Sequence, residues 1–420
     1  MKVAIDARIL PGVTGGVAVA VKSLLQGLGQ LGDGDDQYVV VLDGDEQHAW
    51  ASSFLGPNQR IAMWPQPRHT PTQRLMLRLL RPIARRARAT IDRRVWPEVP
   101  LSDGFFESLQ CDVVHFPTQN FTVCSAPAVY NPHDLQHLRY PQFFSPWIQS
   151  WRETVYRAGC HLAQTVVVGS QWVKDDVVRR YRIDPDKVQV IPEAAPTQAS
   201  MEPSPGDLAR VTATYGLTTP FAVFPGVTWP HKNHLQLFRA LAQLRDERGL
   251  VIHLVCTGAR YPEFWPTIEA GLQEYRLAGQ VKFLGYLPEG DLRAVYRLAA
   301  CLVLPSLYEA SSLPIFEAWL DGLPVACSNA AALPEQVRDA AVLFDPTDAR
   351  AIAGALVAAV TDAEARGALR TRGYERLKDF DLLRTAKAYR AVYRRAADVP
   401  LTEEDRWLLQ WDWMRGTTQR

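Results

Sequence analysis

The chain has 420 residues, of which 47% are hydrophobic and 22% charged, and its formal net charge is +1. A chain of this length is too long for a single hydrophobic core, so we expect two domains of roughly 200 residues each. The nearly neutral charge argues against a general nucleic-acid binder, since such proteins carry a clear basic excess.

Short apolar runs alternate with helical patterns along the first half of the chain. The predicted strands are KVAI, YVVVLDG, CDVVHF, APAVYN and TVVVGS. After the first of them, GGVAVAVKSLLQGLGQLG (residues 15–32) has the apolar spacing of a helix. Strands and helices in alternation predict a parallel sheet that is covered on both faces.

The second half repeats this pattern. Its predicted strands are PFAVFPG, VIHLVCTG, VKFLGY, CLVLPS, PVACSN and AVLFD, separated by helices such as HLQLFRALAQLRDERG. We therefore predict an α/β protein with two facing Rossmann-like, doubly wound domains, residues 1–200 and 208–385, joined through the proline-containing residues 191–207. Residues 386–420 are predicted to form a helical tail that crosses back toward the first domain.

A loop and a helix start follow the strand CLVLPS. In YEASSLPIFEAWLDGLPV (residues 308–325), a proline in a first helical turn is tolerated, so we expect Glu309 in the loop and Glu317 in the first turn. Two interpretations are open from the residues alone. The glutamates are a solvated loop charge and a helix-dipole partner, or they face a ligand cleft at the carboxyl ends of the strands.

This stretch and its surroundings resemble the large retaining glycosyltransferase family 4, which includes sucrose synthase and bacterial mannosyltransferases and has the two-Rossmann GT-B fold. The resemblance covers nearly the whole chain and is densest from residue 220 to 347, where the E-x7-E signature is Glu309 to Glu317. It implies transfer of a hexose, with retained anomeric configuration, from a nucleoside-diphosphate sugar to a glycan or lipid-linked hydroxyl. GDP-mannose is favoured over UDP-sugars as the donor, and neither a metal nor a cofactor is expected.

The resemblance also implies roles for individual residues. Glu317 would accept hydrogen bonds from ribose hydroxyls, Glu309 would reach hydroxyls of the transferred sugar, and Lys232 would bind the diphosphate. The helix start and its amides would meet the phosphates as well. The remaining predicted donor-binding residues are Gly15, Gly16, Arg260, Tyr286, Leu287, Ser311, Ser312 and Leu313.

The segment VYNPHDLQHLRYPQFFS follows a predicted strand of the first half. By the same resemblance, His133 lies beside the donor sugar and is predicted to be catalytic together with Lys232 and Glu309. Asp134 and Arg139 are placed on the acceptor side. Other histidines receive structural interpretations: His115 as a cleft-lining or core residue, and the pair in WPHKNH as surface or helix-start histidines without enough ligands for a metal.

One segment carries a concentration of positive charge. Residues 74–94 hold eight arginines and one acid, in a pattern that fits either contact with anionic lipid or a solvated helix face. Tryptophans 407, 411 and 413 of the tail fit either membrane anchoring or packing of a final helix. Six isolated cysteines indicate reduced core residues. The expected location is the cytoplasm, with the inner face of the plasma membrane as the surface for any peripheral contact.

Two other functions stay open. A sugar-nucleotide epimerase shares the two-domain architecture and would convert a donor in the absence of an acceptor. A non-catalytic nucleotide-sugar binder would bind without turnover. The binder is favoured by Val227, where many relatives carry arginine, and by residues 310–312, which are Ala-Ser-Ser where the family commonly has glycines.

Overall fold

The computed structural model describes residues 1–9, 15–65, 97–196, 202–415 and 417–418, the last two as backbone only. Two sheets of parallel strands organise this part of the chain, one of seven strands and one of six. The predicted pair of doubly wound α/β domains is thereby confirmed. The basic segment 74–94 lies outside the described residues, and the exact domain limits stay predictions.

The first sheet is built from apolar runs that are buried almost throughout. Its strands are β1 (Lys2–Asp6), β2 (Gln37–Leu42), β3 (Gln59–Met63), β4 (Val113–Phe116), β5 (Ala128–Tyr130), β6 (Thr165–Val168) and β7 (Val188–Val190). They stand in the order β3-β2-β1-β4-β5-β6-β7, with Val3 paired to Tyr38 on one side and to Val113 on the other. The described helices of this half are α1 (Gly16–Gly29), α2 (Asp45–Ser52), α3 (Phe105–Ser108), α4 (Gln136–Arg139), α5 (Pro146–Leu162) and α6 (Gln171–Tyr181).

The second sheet has the same topology with one strand fewer. Its strands are β8 (Phe221–Pro225), β9 (His253–Thr257), β10 (Val281–Phe283), β11 (Cys301–Leu304), β12 (Val325–Ser328) and β13 (Val342–Phe344). They stand in the order β10-β9-β8-β11-β12-β13. The helices are α7 (Pro205–Tyr215), α8 (His234–Arg248), α9 (Trp265–Glu274), α10 (Glu289–Leu298), α11 (Leu313–Leu320), α12 (Leu333–Val337), α13 (Ala349–Thr361) and α14 (Ala363–Leu377).

Two strands of the first sheet have no counterpart among the predicted ones. β3 is an edge strand. Its sequence, QRIAM, has no continuous apolar run, and none of its residues is fully buried. β7 has only three residues, VQV, at the opposite edge. Edge strands need less apolar sequence because one of their sides has no neighbouring strand, and the hydrophobic pattern is correspondingly weak.

The tail crosses back to the first domain, as predicted. Helix α15 (Leu382–Ala396) packs on α1, where a Cβ at Gly27 would lie 2.9 Å from that of Ala386, so glycine permits the close approach. Arg394 fixes the crossing through carboxylate contacts of 3.0 Å to Asp36 and 2.9 Å to Asp405.

Two details of the predicted tail need correction. The crossing helix begins at Leu382 rather than at residue 386, and the chain beyond α16 (Glu403–Leu409) is not helical but forms the short antiparallel pair β14 (Trp411–Asp412) and β15 (Thr417–Thr418). Trp413 is 1% exposed in the core of the first domain, which excludes it as a membrane anchor in this conformation. Within the described residues, no helix combines the length and the apolar character that crossing a bilayer requires.

Candidate active site

The order of both sheets reverses at an inner pair of strands. In the second sheet β8 and β11 are neighbours, and the chain leaves them toward opposite sides of the sheet. Ligands of open α/β sheets bind beyond the carboxyl ends of strands at such a switch point. Lys232 follows β8 and Glu309 follows β11, so the topology alone brings these two predicted site residues to the same crevice.

The side chains of Lys232 and Glu309 form an ion pair. Lys232 Nζ lies 2.7 Å from Glu309 Oε1, and the two side chains are 16% and 11% exposed. Gly226, with φ of +148°, lies against the aliphatic part of the lysine: a Cβ there would stand 3.5 Å from its Cε. Glu309 and Gly226 together hold the Lys232 side chain in place and shield it from most of the solvent.

Asn233 positions this pair, a role that the sequence patterns did not indicate. It adopts a left-handed conformation with φ of +62° directly after Lys232. Its Nδ2 donates to the carbonyls of Pro305 at 2.9 Å and Pro346 at 2.7 Å. The Leu307 amide also donates to the carbonyl of residue 231 at 2.8 Å. These bonds tie the lysine loop to the glutamate loop, and only the left-handed Asn in a turn pattern could have signalled them.

Glu317 has a partner that sequence reasoning missed. The hydroxyl of Tyr296, on α10, donates to Glu317 Oε2 at 2.7 Å. Burial raises the pKa of Glu317, and the Tyr296 hydrogen bond opposes that rise. The predicted place in the first turn is wrong, because α11 begins at Leu313 and Glu317 is its fifth residue. The helix-dipole explanation therefore loses its basis, and one carboxylate oxygen remains without a hydrogen bond inside the described chain.

The start of α11 departs from its predicted use in one respect. The Ser312 amide donates to Gln336 Oε1 at 2.9 Å, and Gln336 Nε2 returns a bond to the Ser312 carbonyl at the same distance. This amide is therefore engaged, which corrects the expectation that it would meet the diphosphate. Leu313 faces the first domain: a Cβ at Gly16 would lie 3.8 Å from its side chain. The predicted residues Gly15 and Gly16 thus stand opposite the start of α11.

Three further predicted donor residues lie along the same edge of the second sheet. Arg260 follows β9 and is exposed, with its guanidinium 4.2 Å from the centre of the Trp265 ring. Tyr286 is 81% exposed and Leu287 is 6% exposed, in the turn after β10. In the described part of the chain none of the three forms a hydrogen bond or ion pair with Lys232 or Glu309, so these residues extend the crevice wall without joining the ion pair.

His133 lies at the rim of the first domain, after β5, in a left-handed conformation with φ of +62°. Its Nε2 donates to the Pro117 carbonyl at 2.8 Å. Its Nδ1 is 3.9 Å from an oxygen of Glu193, in the segment that crosses between the two domains. The Glu193 carboxylate in turn interacts with the Ser311 hydroxyl and lies near Glu309. Glu193 was not among the predicted site residues, since a lone glutamate in a proline-rich linker carries no pattern.

The two predicted acceptor-side residues have structural partners. The Asp134 carboxylate accepts from the Gln136 amide at 3.0 Å. Arg139 Nη2 lies 3.1 Å from the buried Asp176, and its guanidinium stacks 4.5 Å from the Trp172 ring centre. Arg139 therefore stabilises the wall next to the interdomain contact rather than pointing as a free cation into the crevice.

Two histidines near the candidate site, His115 and His234, are buried. His115 donates from Nε2 to Asn131 at 2.9 Å and accepts at Nδ1 from Tyr393 at 2.8 Å, which is the hydrogen bonding of a neutral ring. Burial lowers its pKa to about 3. His234 is also buried, and burial lowers its pKa to about 3; it is the first residue of α8, which agrees with the helix-start interpretation and not with the surface one. Among the described residues no cluster of three or more His, Cys, Asp or Glu side chains could hold a metal ion.

Comparison with known proteins matches this architecture. The model of Glycosyl transferases group 1 matches residues 214–376, and that of Glycosyltransferase Family 4 matches residues 14–198. The O-antigen chain mannosyltransferase B of Escherichia coli is 30% identical over 257 residues, covering 60% of this chain and 66% of that protein. A D-inositol 3-phosphate glycosyltransferase of Corynebacterium glutamicum is 28% identical over 245 residues, covering 56% of this chain and 58% of that protein. The chain thus spans about two thirds or less of the length of these relatives.

Solved structures share the fold at lower identity. The Anabaena protein HepE, in complex with UDP and glucose, has a TM-score of 0.65 and 17% identity, covering 94% of this chain and 100% of that one. WaaG, a glycosyltransferase involved in lipopolysaccharide biosynthesis, has a TM-score of 0.61 and 16% identity, covering 94% of this chain and 98% of that one. With one family model on each sheet domain and this fold, the chain belongs to the GT-B glycosyltransferases of family 4.

Proposed function

We propose that the chain transfers a hexose, with mannose favoured, from a nucleoside-diphosphate sugar to a hydroxyl of a glycan or lipid-linked acceptor, with retention of anomeric configuration. The observation that carries the proposal is the Lys232–Glu309 pair of 2.7 Å at the switch point of the second sheet. This pair supplies one cation for a leaving phosphate and one carboxylate for sugar hydroxyls in a single crevice.

Lys232 serves the leaving group in this mechanism. Cleavage of the sugar–phosphate bond places negative charge on the diphosphate, and a fixed ammonium stabilises charge that develops in the transition state. Because Lys232 pairs with Glu309, binding of the donor phosphate lets the lysine exchange one anionic partner for another, and no fully hydrated ammonium has to be desolvated. Val227 leaves no arginine beside Gly226, so the lysine carries most of the local charge in this loop.

Glu309 and His133 surround the sugar from the two domains. A carboxylate accepts hydrogen bonds from hydroxyls, and Glu309 keeps one oxygen beyond the one that contacts Lys232. The motifs offer no nucleophile for the far face of the sugar. We infer front-face displacement, in which the departing phosphate takes the proton of the attacking hydroxyl. Positioning and fixed charge then provide the rate enhancement.

The nucleoside is assigned to the α10–α11 side. Glu317 accepts one bond from Tyr296 and keeps its second oxygen for a ribose hydroxyl. Mannose is favoured because the segments HDLQHLRYPQFFS and WPHKNH resemble the corresponding segments of bacterial mannosyltransferases. Two of the relatives are named O-antigen chain mannosyltransferases, which agrees with this choice. We place the reaction in the cytoplasm, with peripheral contact at the inner membrane surface if residues 74–94 bind anionic lipid.

The first test is calorimetric titration of the protein with GDP and with UDP in EDTA. We expect one nucleotide to bind in the absence of divalent metal and Glu317→Ala to weaken its binding at least 10-fold, about 1.4 kcal/mol. Glu274→Ala, an exposed carboxylate on α9, is the control and should bind like the wild type. Unchanged affinity in Glu317→Ala would show that the nucleotide site is assigned to the wrong residues.

The second test is transfer itself. Incubation with GDP-mannose or UDP-glucose and a panel of glycan and lipid-linked acceptors should yield product from one donor, with the anomeric configuration of the donor retained by NMR. Conversion of the donor sugar without an acceptor would instead identify an epimerase. Binding without turnover on every acceptor would identify a non-catalytic binder.

A further inference from the structure

Glu193 stands between the two halves of the candidate site. It follows β7 in the segment 191–196, where the chain leaves the first sheet for the second. The Ala195 amide of this segment donates to the Phe380 carbonyl at 2.9 Å, on the return crossing between the domains. Glu193 therefore lies in the connection between the two domains, and its side chain is 21% exposed.

Each side of this carboxylate meets a predicted site residue. Toward the first domain, Glu193 Oε1 is 3.9 Å from Nδ1 of His133. Toward the second domain, it interacts with the hydroxyl of Ser311, which directly precedes α11. The opposite ring nitrogen of His133 is bonded to the Pro117 carbonyl at 2.8 Å. The imidazole is thus held between a carbonyl of its own domain and a carboxylate of the interdomain segment.

We propose that Glu193 is a positioning residue of the transfer reaction, which orients the His133 ring and ties it to the Ser311 loop so that both halves of the site are aligned through one carboxylate. This inference rests on the proposed glycosyl transfer, since it gives His133 a place beside the reacting sugar. Glu193 itself acts through His133 and Ser311 and contacts no reacting atom.

The charges around Glu193 make the arrangement dependent on its ionisation. Burial is the main cause that raises the pKa of Glu193, and the nearby Glu309 raises it further, while His133 and the Ser311 hydroxyl oppose the rise. Glu309 is itself neutralised by Lys232 at 2.7 Å. Tyr389 of the crossing helix α15 is a further titratable neighbour, and its pKa is raised mainly by burial.

Donor binding would change this balance. When a diphosphate draws Lys232 away from Glu309, the Glu309 carboxylate loses its counter-charge and repels Glu193 more strongly. The added repulsion favours movement of an ionised Glu193 away from Glu309 and toward Nδ1 of His133, which lies 3.9 Å from it. Binding of the donor phosphate at Lys232 would thus change the position of Glu193 relative to His133 in the other domain.

The experiment compares Glu193→Gln, Glu193→Asp and the control Glu335→Gln. Glu335 also joins the two domains, because its carboxylate accepts from the Trp172 amide at 3.2 Å; within the described residues it forms no hydrogen bond or ion pair with His133, Lys232 or Glu309. For Glu193→Gln we expect kcat to fall on the order of 10- to 100-fold, since misplacement of a site group by about 1 Å has effects of this size. The donor KM should stay within about 2-fold of the wild type, because the ground-state phosphate contacts remain.

The pH profile separates positioning from simple stabilisation. The wild type should lose kcat at acid pH as Glu193 takes up a proton, whereas Glu193→Gln, which has no such proton to take up, should show a flatter acidic limb. Glu193→Asp should recover part of kcat, and Glu335→Gln should keep the wild-type profile. Wild-type kcat and pH profile in Glu193→Gln would overturn the proposal, as would an equal loss in Glu335→Gln.

A second readout does not need activity. In protein labelled with ¹⁵N-histidine, the His133 signal, assigned through His133→Gln, should move in Glu193→Gln and stay in place in Glu335→Gln. An unmoved His133 signal would overturn the role of Glu193 even if transfer is observed. A wild type that transfers no sugar while the His133 signal responds as expected would overturn the proposed function and leave the Glu193–His133 coupling established.

Discussion

Lys232 and Glu309 are 77 residues apart in the chain, and their charged atoms lie 2.7 Å apart at the edge of the second sheet. Each follows one of the two neighbouring strands at the switch point, and Asn233 binds the two loops together. The contact is a consequence of strand order: residues after β8 and β11 meet because these strands pair directly. The candidate site therefore depends on the sheet as much as on the two side chains.

Lys232→Ala should abolish most transfer activity. Loss of one fixed donor to a developing oxyanion lowers kcat by about 100- to 1,000-fold in comparable sites, and the substitution also leaves Glu309 without its cation. Steady-state rates with saturating donor measure the effect. Lys232→Arg, which keeps a cation of different shape, should retain more activity than alanine; equal activity in all three proteins would exclude the lysine from the leaving-group site.

Tyr296→Phe should weaken nucleotide binding less than Glu317→Ala does. The phenylalanine keeps the packing of α10 but removes the 2.7 Å bond that orients the Glu317 carboxylate. We expect a loss of about 1 kcal/mol in nucleotide affinity, the usual net value of a single hydrogen bond. Calorimetric titration gives the value, and a loss larger than that of Glu317→Ala would mean that the tyrosine itself contacts the nucleotide.

Asn233→Gly should reduce stability and activity together. Glycine adopts the left-handed conformation without strain, so the substitution isolates the two side-chain hydrogen bonds to the carbonyls of Pro305 and Pro346. The expected decrease in the free energy of unfolding is about 1–3 kcal/mol, measured by urea unfolding. Arg182→Gly is the matched control: it has φ of +54° at the end of α6 and should leave stability unchanged or slightly higher.

Stability should fall as pH decreases from about 6.5, because two buried histidines resist protonation in the folded state. Burial lowers the pKa of His115 and of His234 from 6.5 to about 3. Between these values the unfolded chain binds protons that the folded chain does not. Each histidine therefore removes up to about 1.4 kcal/mol of stability per pH unit on acidification, and the effect is absent above the unfolded pKa.

Urea midpoints at several pH values between 4.5 and 7.5 measure this dependence. His115→Gln should flatten the slope, although it lowers stability at neutral pH by disturbing the bonds to Asn131 and Tyr393. His48→Gln, at an exposed position on α2, should retain the wild-type slope. A slope in His115→Gln equal to that of the wild type would show that His115 does not contribute to the acid sensitivity.

The inner strands β8 and β11 of the second sheet were predictable because all their residues are buried, so that PFAVFPG and CLVLPS stand out as continuous apolar runs. The edge strands β3 and β7 were not, since polar residues interrupt QRIAM and VQV and both stretches are short. For the crevice, chain order and the rule for parallel sheets placed Lys232 and Glu309 at one edge. Sequence could not reveal that the Ser312 amide is engaged by Gln336, because that bond joins two elements separated by a strand.

By itself, the sequence determined the two-sheet architecture, the crossing tail and the residue types that end the strands. These depend on periodicity and on local backbone preferences, which are written within a few residues of one another. Only the tertiary structure decided which side chain each site residue meets: Tyr296 for Glu317, Asp176 for Arg139, and Glu193 for His133. Such contacts join segments distant in the chain, and their distances are set by how the sheets, helices and the interdomain crossing pack, for which no local pattern carries a signal.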